Sequence, residues 1–306
     1  SRQDMGVKIF FALSGFILTL PLVRSQKTLN LSFYYKRRLR RLEPPYILVL
    51  FSFGFFQVVS NYEEFLVVCH SFIAGLFYSS YTFSGIPNPI NPVTWSLEIE
   101  AYFYILMPFI VYLVRFLARK LNLLISLGVL SVLFIAMKYL IVEESFLSHT
   151  IFYYLINFHT GICFAYFYFH YIQKVQKNYF MDFLGLLVYF GMLSFYKPQA
   201  EMGNIVFWNV SMFCFFVSVF KGKVLNKLFT NRFVYVVGGM CYSIYLLHYG
   251  LYYLISPILF DLFLPANYET AFLLGTLVII PFTLLISSVF YLIVEKPFMV
   301  SKTAHS

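Results

Sequence analysis

Charge is what this sequence has least of. Only 11% of its 306 residues are Asp, Glu, Lys or Arg, against about 25% in soluble globular chains. So few ions cannot cover a water-facing surface, which excludes an ordinary soluble domain. Metal and redox spacing is missing too. Cys69, Cys163, Cys214 and Cys241 lie singly in or beside apolar segments, so they read as small core residues and no metal site is expected. No polar stretch is long enough to form a soluble domain, and residues 1–306 read as a single membrane-embedded domain. No motif recurs in inverted order, although many transporters carry such repeats.

What is abundant is apolar and aromatic: 60% of the chain is hydrophobic, with 39 Phe and 26 Tyr. Those rings suit lipid-facing and interfacial positions. A bilayer core takes about 20 apolar residues per helix, with a range of about 17–25. Spans are expected near 5–23, 45–60, 96–114, 121–142, 150–171, 179–195, 203–220, 238–260 and 270–294, the 45–60 run being short and extended at one end. The expected fold is therefore all-α, a polytopic bundle of nine crossings. A further apolar stretch, 65–79, precedes Ser84-Gly85-Ile86-Pro87-Asn88-Pro89-Ile90-Asn91-Pro92, whose prolines cannot continue a helix.

The net charge of +9 does not point to nucleic acid, because the basic residues sit in short loops between apolar runs. Their placement orients the chain. The loop 24–44 carries Arg24, Lys27, Lys36, Arg37, Arg38, Arg40 and Arg41, so it is assigned to the cytoplasm, and Asn61-Tyr62-Glu63-Glu64 then lies outside. Were 65–79 to cross fully, Arg115, Arg119, Lys120 and the basic loop 221–232 would also lie outside. If it enters and returns, Lys174, Lys177, Lys221, Lys223, Lys227, Arg232, Lys296 and Lys302 fall inside. Glu143, Glu144, Glu201, Asp261 and Glu269 then fall outside. The re-entrant reading is adopted. It puts Ser1 outside, which implies that an N-terminal helix is absent from this chain; a cleaved signal peptide would have the same effect.

Ionisable groups inside spans are costly and are functional candidates by default. Glu98 and Glu100 lie in Trp95-Ser96-Leu97-Glu98-Ile99-Glu100. Two positions on a helix is about 200°, so the carboxylates do not face each other. Ser96 and Glu100 share a face, as do Trp95 and Glu98. Glu100 is taken as the functional acid, and Glu98 as a cap touching water at the outer helix end. His248, midway along its span, is either a proton carrier or a hydrogen-bonded bundle residue. His159 is assigned to structure. The basic stretch Lys36-Arg37-Arg38-Leu39-Arg40-Arg41 contacts anionic lipid headgroups or a phosphorylated cytoplasmic ligand. In the second case Arg38 and Arg41, three apart, grip phosphates from one helical face.

Five segments in order resemble the acyltransferase-3 family of integral membrane O-acyltransferases. They are Gly6-Val7-Lys8-Ile9-Phe10-Phe11-Ala12-Leu13-Ser14-Gly15-Phe16, with Lys8 where the family has an acid, and Arg38-Leu39-Arg40-Arg41-Leu42-Glu43-Pro44. Then come Trp95-Ser96-Leu97-Glu98-Ile99-Glu100-Ala101-Tyr102-Phe103-Tyr104, Tyr242-Ser243-Ile244-Tyr245-Leu246-Leu247-His248 and Glu295-Lys296-Pro297-Phe298. The resemblance implies a ten-helix domain in the bacterial inner membrane. Such a domain passes acyl groups, usually acetyl, from cytoplasmic acetyl-CoA to a hydroxyl of an extracytoplasmic polysaccharide or glycolipid. Acetyl-CoA is then a co-substrate and no cofactor is bound.

By the same resemblance Arg38 and Arg41 hold the coenzyme phosphates, with Arg37 and Arg40 as alternatives. Ser14, Gly15 and Phe16 line the donor channel, Trp95, Ser96 and Glu100 belong to the acceptor side, and His248 and Glu295 support the core. The family's essential Arg and His, ten residues apart, lie on the helix before the Ser-Gly-Phe segment. Nothing in residues 1–5 supplies them, so the first family helix and its His are expected to be missing here. Within the chain, Glu100 is the first candidate for activating the acceptor and His248 the second. A transporter or flippase for lipid-linked glycans is the rival reading, since it too would combine many spans with buried ionisable groups.

Overall fold

The computed structural model describes residues 4–25, 30–60, 62–141, 146–195, 201–263 and 268–299. Of the positions used above, Ser1, Lys27, Asn61, Glu143, Glu144 and Lys302 lie outside these, as does the side chain of Asp261. Among the described residues the chain is helical and contains no strand. In order the helices are α1 (Asp4–Ser25), α2 (Leu31–Val59), α3 (Phe65–Leu76), α4 (Ser80–Ser84), α5 (Trp95–Lys120), α6 (Leu123–Leu140) and α7 (Ile151–His170). They continue with α8 (Tyr179–Phe195), α9 (Met202–Lys221), α10 (Lys223–Phe229), α11 (Arg232–Gly239), α12 (Cys241–Phe263), α13 (Tyr268–Phe290) and α14 (Lys296–Met299). A π-helical turn, Tyr291–Glu295, joins the last two.

The all-α polytopic bundle is what the apolar runs predict. Six helices are long and apolar enough to cross a membrane, and seven if α11 and α12 form one broken span. Two expected crossings fall short of that measure for different reasons. Helix α8 has only 17 residues. Helix α7 has 20 but carries Asn157, His159 and Thr160, all buried. Polar groups are tolerated at membrane depth where protein rather than lipid surrounds them. By contrast α13 leaves Leu273, Leu277 and Leu285 well exposed, as a lipid-facing helix should.

Three expectations are corrected. The basic residues 36–41 are not in a loop: they lie within α2, which runs unbroken for 29 residues. Lys, Arg and Leu are strong helix formers, and Pro44 and Pro45 withdraw only the amides that would bond the carbonyls of Arg40 and Arg41. At 1.5 Å per residue α2 is about 44 Å long, enough to hold its basic turns beyond a hydrocarbon core of about 30 Å. The 238–260 span is broken, since α11 and α12 meet at 69°. The Gly238-Gly239 pair makes that bend inexpensive. His248 therefore sits two turns into α12 rather than midway along a span. Finally, Cys241 is exposed, whereas Cys69, Cys163 and Cys214 are partly buried.

The 65–79 stretch behaves as half a span. Helix α3 ends after 12 residues, about 18 Å, too short for the core. The chain then turns at Tyr78, whose φ is 51°, and at Gly85, whose φ is 69°.

The residues divide into two compact units, Ser1–Leu31 with Glu98–Asn231, and Ser32–Leu97 with Arg232–Ser306. In the first, α1 packs along α7 with almost no separation. A β-carbon at Gly161 would lie 1.8 Å from the carbonyl oxygen of Ala12, and one at Gly15 would lie 2.1 Å from that of Phe158. Helices in lipid associate through such close backbone contacts. Phe158 stacks between Phe11 and Phe103, with ring centroids 4.6 and 3.9 Å away. In the second unit the core is Tyr46, Leu50, Val68, Ile90, Leu97 and Leu246. The Tyr46 hydroxyl donates to the carbonyl of Gly75 at 3.1 Å.

Candidate functional site

In the first unit Glu100 occupies the second turn of α5 and is 3% exposed. A carboxylate in such a place must be hydrogen-bonded to persist. Ser14 Oγ donates to Glu100 Oε1 at 2.5 Å, and the Tyr104 hydroxyl donates to the same oxygen at 2.6 Å. Both lie in the range of O–H bonds to an ionised acceptor. Helix geometry supplies Tyr104, four residues after Glu100, while packing of α1 supplies Ser14 from 86 residues away. A hydroxyl donating to a buried carboxylate is the arrangement of a base beside a proton source.

The neighbours of these residues take other roles. Glu98 is fully buried, not water-facing as expected. It sits in the first turn of α5, where free amides and the helix dipole favour an anion. Gly15 and Phe16 are not drawn to the carboxylate. Gly15 lets α1 meet α7, and Phe16 packs with Phe164, Trp208 and Met212 in the core. His159 is structural: its Nε2 lies 3.1 Å from both the Leu127 carbonyl and Ser131 Oγ.

The second unit holds the remaining sequence candidates. Along α2, Arg37 and Arg40 are exposed, while Arg38 and Arg41 are half-buried. The Arg38 guanidinium lies 5.9 Å from the centre of the Tyr34 ring. Arg41 is close enough to Glu295 to act on it electrostatically. Glu295 is fully buried at the end of the π turn, and Ser243 Oγ donates to its Oε2 at 2.6 Å. Short π segments interrupt helices frequently at functional sites. Here the turn brings Glu295 to Ser243. Tyr242, next to Ser243, donates its hydroxyl to the Leu42 carbonyl at 2.9 Å, which ties α12 to the basic part of α2.

His248 Nδ1 lies 2.7 Å from the carbonyl of Tyr245. A carbonyl can only accept, so Nδ1 carries a proton and donates to it. The Tyr245 hydroxyl donates to the Val93 carbonyl, so the 2.6 Å contact with Ser96 has the serine as donor. Asn91 Nδ2 donates to the Leu246 carbonyl at 2.9 Å. The proline-rich segment is thereby pinned along α12, and Trp95 packs on Tyr81 at 5.2 Å between centroids. Among the described residues no cluster of three His, Cys, Asp or Glu side chains is placed to hold a metal ion.

Tyr104, Ser243 and Tyr245 stand inside the sequence motifs but are not singled out by them. Tyr104 has a visible signal in its spacing from Glu100. Nothing in the sequence announces the pairing of Ser243 with Glu295, 52 residues apart. Replacing Ser243 with alanine removes a donor from a buried carboxylate, which costs about 1.5–3 kcal/mol. A clear drop in the thermal unfolding midpoint of the detergent-solubilised protein is expected, with Ser243→Thr restoring most of it. An unchanged midpoint for Ser243→Ala would refute the assigned role.

A family profile described as an acyltransferase domain matches residues 3–292. The chain is similar to the putative peptidoglycan O-acetyltransferase YrhL of Bacillus subtilis, 35% identical over 34% of this chain and 18% of that protein. It is also similar to the peptidoglycan O-acetyltransferase OatA of Listeria monocytogenes, 23% identical over 83% of this chain and 46% of that protein. With the O-acetyltransferase OatA of Staphylococcus aureus it shares 32% identity over 35% of this chain and 20% of the relative. The chain thus spans less than half the length of these curated relatives. No solved structure matches it.

Proposed function

The chain belongs to the acyltransferase domain family, and we propose that it is a membrane-bound O-acyltransferase that moves an acetyl group from cytoplasmic acetyl-CoA to a glycan hydroxyl across the membrane. The observation that carries this reading is the buried carboxylate of Glu100, met by the hydroxyls of Ser14 and Tyr104. The acceptor is assigned to the cell wall glycan, because one relative is named a peptidoglycan O-acetyltransferase and another a putative one. The orientation rests on the loop charges, which place the basic turns of α2 inside, and the membrane is assigned as the bacterial inner membrane.

In this mechanism the acceptor hydroxyl takes up the position of a donor to Glu100 Oε1. The carboxylate removes its proton as the oxygen attacks the thioester carbonyl. The resulting tetrahedral oxyanion collapses, the carbon–sulfur bond breaks, and the coenzyme thiolate leaves and takes the proton gained by Glu100, which restores the carboxylate. The products are a glycan ester and free coenzyme A. Ser14 and Tyr104 hold the carboxylate in place between turnovers. Arg38 and Arg41 bind the coenzyme phosphates, since guanidinium forks match phosphate oxygens bidentately.

The arginine assignment predicts a selective defect. The double replacement Arg38→Lys, Arg41→Lys keeps the charge and loses the forks, so KM for acetyl-CoA should rise about tenfold or more, corresponding to about 1.4 kcal/mol. The acceptor KM should stay as it was. Steady-state kinetics with labelled acetyl-CoA measure both, and an unchanged coenzyme KM would return these residues to lipid contact.

A further inference from the structure

One cleft among the described residues belongs wholly to the second unit and has no part in the chemistry above. It encloses about 600 Å³ including its open mouth. Its floor is apolar. Phe53 lies flat against Gly250, where a β-carbon would come within 2.2 Å of the ring. Its rim is aromatic and acidic: Tyr62, Tyr253 and Glu63 line it, and the two tyrosine rings meet edge to face at 5.1 Å between centroids.

A polar group completes the cleft. Gln57 Nε2 donates to the Pro89 carbonyl at 3.1 Å, which fixes the orientation of the amide. Its Oε1 is buried and accepts no hydrogen bond from the described residues.

The chemistry of this lining is selective. A carboxylate and a carbonyl acceptor repel phosphate, so the cleft does not suit the coenzyme. Flat aromatic faces pack against the C–H face of a pyranose, while Glu63 accepts from its hydroxyl or amide hydrogens. We propose that this cleft binds a neutral N-acetylhexosamine unit of the acceptor glycan. The proposal rests on the acyltransferase reading for the word acceptor, and on the proposed orientation, which puts Tyr62 and Glu63 on the extracytoplasmic side.

The test uses the complete protein in lipid nanodiscs and tetra-N-acetylchitotetraose as probe. Calorimetry measures binding, and acetyl transfer to the wall glycan measures kinetics. Glu63→Ala and Tyr253→Leu should each weaken probe binding about tenfold and raise the acceptor KM by a similar factor. The KM for acetyl-CoA should hold, and Glu63→Gln should recover part of the loss. Glu100→Gln should bind the probe as the wild type does. Unchanged probe affinity and acceptor KM in both cleft variants would overturn the subsite while leaving the transferase reading intact. Binding that depends on the cleft in a wild-type protein that transfers no acetyl would overturn the transferase reading instead. Preference for tetramethylammonium over the chitotetraose would show a cation cage and overturn the sugar assignment.

Discussion

Glu100→Gln is expected to lower acetyl transfer by about 100-fold or more, because general-base catalysis by a positioned side chain contributes about 10²–10⁴-fold. Glutamine keeps the shape of the side chain and presents an oxygen to the Ser14 and Tyr104 hydroxyls, so the packing around position 100 survives. The loss should therefore fall on kcat, with the acetyl-CoA KM retained. Ser14→Ala and Tyr104→Phe each remove one donor from Oε1. They should cost less than the loss of the base, since either remaining hydroxyl still holds the carboxylate. Rates are read from label transferred to glycan by membranes bearing equal amounts of each variant. A Glu100→Gln enzyme at wild-type rate would remove Glu100 from the chemistry.

The largest structural effect is expected at Gly161. Its β-carbon would stand 1.8 Å from the Ala12 carbonyl oxygen and 2.7 Å from the Phe16 amide nitrogen. Both are backbone atoms of α1, which cannot swing aside as a flexible side chain would. Overpacking costs about 1–3 kcal/mol where side chains yield, and more where they do not. Gly161→Ala should therefore abolish most of the folded protein, seen as loss of the monodisperse peak in fluorescence-detected size exclusion. Gly128 is the internal control. Nothing lies within 4 Å of its added β-carbon, so Gly128→Ala should be neutral or slightly stabilising. Equal yields from the two variants would contradict the close packing of α1 on α7.

These two cases mark how far the sequence can be read. Long apolar runs reveal α1, α5, α6, α9 and α13, because only helices satisfy backbone groups in lipid. The turn-rich stretch around residue 89 marks 65–79 as a short apolar run, although α3 already ends at Leu76 and the chain turns at Tyr78 before those prolines. Local spacing also puts Arg38 and Arg41 three apart, and both are half-buried on α2. Contacts between distant segments are not legible in this way. Glu98 and Glu100 look alike in the sequence, and only tertiary packing shows that both are buried and that Ser14 meets Glu100. Similarly, α2 conceals its true start because charged residues suggest a loop, although they are good helix formers. The bend at Met240 follows from two adjacent glycines whose effect depends on what packs around them. The cleft near Gln57 is assembled from α2, α12 and the proline-rich segment, and no motif covers it.

Vectorial acetyl transfer is the central claim, and one reconstitution tests it most directly. The complete protein is placed in sealed vesicles with radiolabelled acetyl-CoA on the side of the α2 arginines and wall glycan on the other. The expected result is ester-linked label accumulating in the glycan while coenzyme A is released in equal amount on the donor side, and both ceasing with Glu100→Gln. A glycan that crosses the bilayer without gaining label, or label that accumulates equally with Glu100→Gln, would contradict the account.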